Sequence, residues 1–280
     1  MKEKYKMMLK VLGSAAAEAV PALWCECKTC RAARKNGGKD IRRRTSYLID
    51  DDTLVDFGPD AFCQMIDFNI ELPRIKRILF THSHADHLNL VDMQWRRKGF
   101  CVVSSKVKIF GNNTVMQKIK ALSFAALMIE PHTISAGSKI IDDDIEIYPL
   151  EASHCLEIKG EQALNYVIGR NSKYVLIAND TGWWPQKSWN RMRNFKLSAA
   201  IIECTMGLNP PYIDCRGGHL GANAAVEFRD KLREVGALTD KTPVFVNHFS
   251  HNGKVLHKNL CKFFKPHGIQ AAYDGLTITL

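Results

Sequence analysis

The segment Thr-His-Ser-His-Ala-Asp-His at residues 81–87, directly after the apolar run 78–80, is the strongest constraint on this chain. Three histidines and one aspartate fall within six positions at the end of a predicted strand. His82 and His84 point to the same side of an extended chain, and the last two ligating residues turn away from them. Two ligands for one ion and two for a neighbouring ion suit a two-metal hydrolytic centre. Ordinary polar loop residues would rarely reach this density.

Three later apolar runs, each typical of a buried strand, also end in a ligating residue. These runs and residues are 145–150 with His154, 174–178 with Asp180, and 244–246 with His248. Because a rigid sheet fixes the positions of its strand ends, we expect these side chains to meet the first cluster at one edge. His248 alone would be read as a loop histidine, but four strand ends with the same arrangement predict a metal centre.

A second metal site is predicted near the N-terminus. Cys25, Cys27 and Cys30 place three thiolates within six residues, which can close around one tetrahedral zinc. The fourth ligand is not local. His251, three residues after His248, is the better candidate and Cys63 the weaker one. A closed site of this kind is structural rather than catalytic.

Composition adds the broad class of protein. The chain has 280 residues, nine cysteines and a formal net charge of +10. An odd number of cysteines disfavours a disulfide framework, so we expect a reducing compartment, the cytoplasm. No apolar stretch is long enough to span a membrane. The first 22 residues lack a clean cleavage site, so we expect them to be part of the fold. Because no linker-like segment divides the sequence, we expect one domain over residues 1–280. The charge excess is read as a solvated face or as an attraction for anionic substrates.

Periodicity predicts mixed α/β structure. Helical patterns fit residues 60–68, 87–97, 112–120 and 221–235, and the last run, 271–280, reads as one strand. Asp50-Asp51-Asp52 reads as a hairpin turn between two strands. The tryptophans at 183, 184 and 189 either line the pocket or pack a loop against the sheet.

The ordered ligands at 82–87, 154, 180 and 248 resemble the metallo-β-lactamase fold superfamily. This resemblance implies an αβ/βα sandwich of two mixed β-sheets flanked by helices, with two divalent metals at one edge. The implied ligands are His82, His84 and His154 for one metal, and Asp86, His87 and His248 for the other, with Asp180 bridging both. Di-iron redox members usually carry glutamate where this chain has His84, which favours hydrolysis.

The cysteine loop narrows the resemblance to the PhnP-type phosphodiesterases, metal-dependent hydrolases of cyclic phosphodiesters linked to phosphonate breakdown. This resemblance implies hydrolysis of a small phosphodiester by a metal-bridging hydroxide. It also implies that the family's extra catalytic histidine maps to His219, in Arg-Gly-Gly-His at 216–219. In the mechanism that we expect, Asp86 also orients the nucleophile, and His219 contacts a phosphate oxygen or protonates the leaving group. Otherwise His219 is a helix-start residue bonded to the backbone. The loop 13–19, which lies near the substrate in relatives, is less glycine-rich here.

Several alternatives stay open at this point. Other hydrolases of this fold include a tRNA 3′-processing nuclease, a thioesterase and a β-lactam hydrolase, and a non-catalytic model is the accessory protein of pyrroloquinoline quinone biosynthesis. The active-site metals are zinc, manganese or iron, beside one structural zinc. We expect a small anionic phosphodiester as substrate, nucleic acid less so, no membrane partner, and a homodimer as one option for assembly.

Overall fold

The computed structural model describes residues 6–122, 124–154 and 158–280. The strands are β1 (Met8–Gly13), β2 (Ser46–Ile49), β3 (Thr53–Val55), β4 (Arg77–Leu79), β5 (Val107–Gly111), β6 (Ile129–Thr133), β7 (Ile140–Asp142), β8 (Ile145–Glu151), β9 (Leu164–Arg170), β10 (Lys173–Ala178), β11 (Ala199–Glu203), β12 (Val244–Asn247), β13 (Ile269–Ala271) and β14 (Thr277–Thr279). The α-helices are α1 (Lys28–Asn36), α2 (Ala61–Phe68), α3 (Leu90–Met93), α4 (Asn113–Lys120), α5 (Phe124–Leu127), α6 (Gln186–Met192), α7 (Ala222–Glu234) and α8 (His257–Phe264). In the described part of the chain, no helix is long and apolar enough to cross a membrane.

The strands form two seven-stranded mixed sheets with related topology. The first sheet has the order β14-β1-β2-β3-β4-β5-β6, and the second has the order β13-β12-β11-β10-β9-β8-β7. In each sheet one half is antiparallel, and the other half is parallel: β3 to β6 in the first, β10 to β13 in the second. This is the two-sheet architecture that the resemblance implied. It brings the carboxyl ends of parallel strands from both sheets to one edge.

Three apolar layers hold the two sheets and their helices together. Alternate residues of β10 show the arrangement, because Val175 and Ile177 pack between the sheets while Leu176 and Ala178 pack under the helices of the second sheet. A third cluster packs beneath the helices on the outer face of the first sheet. Both faces of the central strands are therefore buried, which explains why these strands read as continuous apolar runs.

Two predicted elements differ from the structure. The helix expected over 87–97 is shortened to α3 and the 3-10 helix Gln94–Arg96 that continues it. It starts later than expected because Asn89 accepts from the backbone N–H of Val91 and Asp92 and so caps its first turn. The strand expected over 271–280 is two strands in different sheets, β13 and β14, separated by a turn in which Gly275 has a φ of 90°. The hairpin turn after β2 is present as predicted.

Two arginines join the sheets at the edge opposite the predicted metal centre. Arg77, at the start of β4, donates from Nε to Asp142 Oδ2 of β7 at 2.6 Å. Arg170, at the end of β9, donates to both carboxylate oxygens of Asp52 in the hairpin turn at 3.1 Å. Each contact runs from one sheet to the other, so these ion pairs hold the two sheets together at the edge that lacks the candidate ligands.

Removing Asp142 is expected to destabilise the fold. The Arg77 side chain is 1% exposed, and Asp142→Ala would leave this buried cation without its closest carboxylate. We expect the free energy of unfolding, measured in urea, to fall by about 3 kcal/mol. The control is Asp143→Ala, because Asp143 also contacts Arg77 but is 66% exposed and should cost about 1 kcal/mol or less. Equal losses in the two variants would contradict a stabilising role for the buried ion pair between Arg77 and Asp142.

Candidate metal centre

The seven predicted ligands meet at the edge where the parallel strands end. His82, His84, Asp86 and His87 follow β4, His154 follows β8, Asp180 follows β10, and His248 follows β12. The first predicted ligand after each strand lies within about three residues of the strand's end, and Asp86 and His87 come from the turn that continues beyond His84. The structure therefore brings all seven together, and their metal-binding role stays a prediction.

The ligand atoms form two adjacent groups. In the first, His84 Nδ1 lies 2.9 Å from His82 Nε2 and 3.4 Å from His154 Nε2. In the second, the donor atoms of Asp86, His87 and His248 lie within 4.8 Å of one another. Each group can hold one ion.

Asp180 lies between the two groups. Its Oδ2 is 2.7 Å from His87 Nε2 and 2.9 Å from His248 Nε2, while its Oδ1 is 3.7 Å from His154 Nε2. Its backbone has a φ of 45°, a strained conformation for a residue other than glycine. Asp180 therefore lies between the two groups, where a bridging carboxylate was predicted.

Three buried atoms at the centre test whether the site suits a cation. His87 Nε2, Asp180 Oδ2 and His248 Nε2 have no hydrogen bond of acceptable geometry within the described residues, despite their short separations. Buried polar atoms left in this state are costly. Imidazole nitrogens and a carboxylate oxygen are ligands for divalent metals, so the donor set fits a metal pair.

Side chains behind the centre determine which ring nitrogen His87 and His82 turn towards it. His87 Nδ1 lies 2.7 Å from Asp56 Oδ2, and a carboxylate can only accept, so in the neutral ring Nε2 carries the lone pair. Thr81 donates to Asp56 and lies 3.0 Å from His82 Nδ1, which orients His82 in the same way. Sequence reasoning missed Asp56, although it directly follows β3 as the ligands follow their strands.

On the other side of the centre, Glu203 orients the ring of His248 through Thr205. Thr205 Oγ1 donates to Glu203 and lies 2.8 Å from His248 Nδ1, so His248 also turns Nε2 towards the centre. Glu203 is fully buried and additionally accepts from the backbone N–H of Thr181 and Leu220. Carboxylates that hold the far side of a ligating ring orient that ring and raise its basicity. Sequence reasoning missed Glu203 too, although it ends the apolar strand β11.

The electrostatics of the centre favour positive charge. Burial lowers the pKa of His82, which keeps this ring neutral. At His87 burial acts in the same direction, but the carboxylates of Asp86 and Asp180 outweigh it and raise the pKa of His87 well above its ordinary value. The carboxylates thus create a field that a divalent cation would satisfy.

His219 lies beside the predicted ligands, in the segment before α7. Its ring centroid is 4.8 Å from that of His154, and its Nδ1 is 3.2 Å from Glu203 Oε2. Burial opposes a charge on the ring, but the Glu203 carboxylate raises the pKa of His219 to about 9. The interpretation of His219 as a helix-start residue bonded only to backbone therefore fails, because its partner is a buried carboxylate.

The centre opens into a cleft of about 540 Å³. Its walls include Glu18 from the loop after β1, Met206 from the loop after β11, and Asn252 from the loop after β12, with His219 at its edge. The tryptophans do not line this cleft. Trp184 and Trp189 are each 2% exposed and pack against Phe228 of α7, so the loop-packing interpretation is correct for these two.

The four predicted ligands of the second site also converge. His251 Nδ1 lies 3.5 Å from the Sγ atoms of Cys25 and Cys27, and the donor atoms of these three residues and Cys30 are all within 4.8 Å of one another. Three thiols and one imidazole are a zinc-binding set, and we call these four residues the knuckle. Cys63, the weaker candidate, is not part of this group within the described residues.

A sequence profile described as the Beta-lactamase superfamily domain matches residues 52–239, more than half of the chain. The matched range contains every predicted ligand of the metal pair except His248.

Three solved structures share the fold. A diphosphatase from the PhnP family is 24% identical with a TM-score of 0.75, covering 99% of this chain and 98% of its own. Zinc-bound PqqB from Methylobacterium extorquens is 16% identical with a TM-score of 0.76, covering 98% and 100%. The short form of human tRNase Z is 14% identical with a TM-score of 0.62, covering 97% and 98%. These similarities confirm the predicted fold.

One curated relative is the Octanoyltransferase of Porphyromonas gingivalis (strain ATCC BAA-308 / W83). It is 35% identical over 287 residues, an alignment that covers 95% of this chain and 50% of the relative. The chain therefore spans about half the length of this relative.

Proposed function

The chain belongs to the β-lactamase superfamily and has the fold of its metal-dependent hydrolases, and from this premise we propose that it hydrolyses a small phosphodiester with a pair of divalent metals. The observation that carries the proposal is the position of His219 beside the complete set of seven ligands. Such a ligand set suits many hydrolytic reactions. A histidine beside it that is held by a buried carboxylate can donate a proton, which suits a reaction with a poor leaving group.

In this proposal His82, His84 and His154 would hold one metal, Asp86, His87 and His248 would hold the other, and Asp180 would be a ligand to both. When bound, the metals lower the pKa of a coordinated water and offset the negative charge of the phosphate oxygens. Asp86, which lines the cleft, also orients the nucleophile. Asp56 and Glu203 keep the ligand rings in the required orientation from behind.

His219 is the proposed proton donor to the departing alkoxide. Its Nδ1 contacts Glu203, and no described group is hydrogen-bonded to its Nε2. A ring held in this way can direct Nε2 into the cleft. General acid catalysis of this kind contributes about 10²- to 10⁴-fold.

The cleft supports a small substrate. Its volume of about 540 Å³ lies within the range of small-molecule sites, and the net charge of +10 favours an anion. A phosphodiester carries one negative charge, so it suits both features. The knuckle would hold one structural zinc, as its thiol and imidazole donors indicate.

A second candidate activity is hydrolysis of an acyl thioester, which the octanoyltransferase relative favours. That relative is about twice as long as this chain, so its named activity can belong to either half. A thioester releases a thiolate, which departs without a proton donor, and His219 would then have no catalytic task. We therefore rank this activity second.

A substrate panel tests the proposal. Purified protein is assayed in parallel with bis(p-nitrophenyl) phosphate, an octanoyl thioester and a chromogenic cephalosporin. We expect kcat/KM to be highest for the phosphodiester, with all turnover abolished by a metal chelator. Dominant turnover of either acyl substrate would overturn the phosphodiesterase proposal. Absence of turnover on all three with the metals bound would favour an accessory protein.

A further inference from the structure

We propose that Glu18 is a positioning residue, which orients His251 in the knuckle and joins the knuckle to the wall of the catalytic cleft. This inference concerns a residue that the sequence did not single out. It depends on the knuckle binding a metal, and it does not depend on the phosphodiesterase activity.

The two nitrogens of His251 face different partners. Nδ1 lies 3.5 Å from the Sγ atoms of Cys25 and Cys27, on the knuckle side. Nε2 lies 3.5 Å from Oε1 of Glu18. A histidine that binds a metal through one nitrogen usually directs the N–H of the other towards a carboxylate or carbonyl, which fixes its tautomer and raises its basicity. Glu18 occupies the place of that partner.

Glu18 is itself held in position. Ser250, the neighbour of His251, donates its hydroxyl to Glu18 Oε1. The backbone N–H of Ala16, two residues before Glu18, donates to the Phe249 carbonyl at 3.0 Å. The loop after β1 and the segment 249–251 are thus joined by both backbone and side-chain bonds. A carboxylate fixed in this way can hold the imidazole ring in one orientation.

The same contacts connect the knuckle with the cleft. Glu18 lines the cleft together with Ala16, Ala17 and Ser250. His248, a predicted ligand of the metal pair, lies three residues before His251 in the same segment. Because the segment 248–251 supplies one ligand to each site, a change in the orientation of His251 is transmitted to a cleft wall. Glu18 therefore joins the knuckle to the cleft wall.

The test measures metal binding at the knuckle and needs no substrate. The full chain and its Glu18→Ala variant are each loaded with Co²⁺. The thiolate-to-cobalt absorption is then followed while a chelator competes for the metal. We expect Glu18→Ala to weaken cobalt binding at the knuckle by about 10- to 100-fold, the usual effect of losing such a partner. Glu18→Gln keeps an acceptor oxygen near Nε2 and should restore part of the affinity.

Glu26 provides the matched control. It lies within the knuckle loop, between Cys25 and Cys27, is exposed, and has no contact with His251 among the described residues. Glu26→Ala removes the same charge from the same region and should leave the cobalt affinity within about threefold of the parent. Wild-type affinity in Glu18→Ala, or an equal loss in Glu26→Ala, would overturn the assignment. So would a parent protein that shows no thiolate-to-cobalt absorption.

Discussion

Replacing Asp180 with alanine is expected to lower phosphodiester turnover by about a thousandfold or more. Asp180 lies between the two ligand groups, with carboxylate oxygens facing His87, His154 and His248. Without it, neither group keeps a complete donor set. Metals stabilise transition-state charge by several kcal/mol, and each 1.36 kcal/mol corresponds to a factor of ten in rate.

Metal content measured on the same samples gives the reason for the loss. We expect about three bound metals per parent chain, two at the centre and one at the knuckle, and fewer in Asp180→Ala because ligand loss weakens binding. The knuckle metal should remain, since Asp180 is not among the knuckle residues. Asp214→Ala is the control, because Asp214 is exposed and bonds only to Asn223 within the described chain. Full activity in Asp180→Ala would refute the two-metal proposal.

The ligand set could be predicted from sequence because two simple regularities coincide in this fold. Buried strands read as apolar runs, and the carboxyl ends of strands that run in the same direction meet at one edge, so a ligating residue after each run implies convergence. β8 is antiparallel to its neighbours but runs in the same direction as β10, so His154 reaches the same edge. The same logic extends to His251, since its spacing from His248 allows the two rings to face different sites. The convergence of these side chains therefore followed from local patterns, whereas the two-sheet fold followed from the family resemblance.

The two carboxylates behind the ligating rings could not be predicted in this way. Asp56 and Glu203 also follow apolar strands, but their tasks depend on which ring nitrogen lies opposite them across the sheet. Such pairings are determined by tertiary packing, so they cannot be predicted from the spacing of residues in the sequence. Glu18 is a stronger case, because its partners Ser250 and His251 lie more than 230 residues away in sequence.

The weakly patterned elements were missed for a related reason. β6 has the sequence Ile-Glu-Pro-His-Thr and β7 has three residues, and each is an edge strand of its sheet. Edge strands tolerate proline and polar residues because one side forms no ladder. The C-terminal run was read as one strand because apolar residues lie on both sides of Gly275 in the sequence. Only the sheet order shows that its two parts belong to different layers.

Replacing His219 with alanine should have an effect that depends on the leaving group. For a diester that releases an alkoxide, we expect kcat to fall by about 10²- to 10⁴-fold, because a proton donor is needed there. For bis(p-nitrophenyl) phosphate, whose p-nitrophenolate departs unaided, we expect a loss of about tenfold or less. His132→Ala is the control, since His132 stacks on Phe110 away from the cleft.

The comparison between the two substrates separates the roles that sequence reasoning left open for His219. A contact with a non-bridging phosphate oxygen would stabilise both reactions, so its loss would lower both rates by a similar factor. A proton donor matters only where the leaving group is a strong base. Equal losses would therefore assign His219 to phosphate binding, and unchanged turnover of the alkyl diester would remove it from the mechanism. We expect the metal content to match the parent, because His219 is held by Glu203 and is not one of the seven predicted ligands. Loss of a metal would instead place His219 among the metal-binding residues, since its donor atoms lie within 4.8 Å of those of His154 and Asp180.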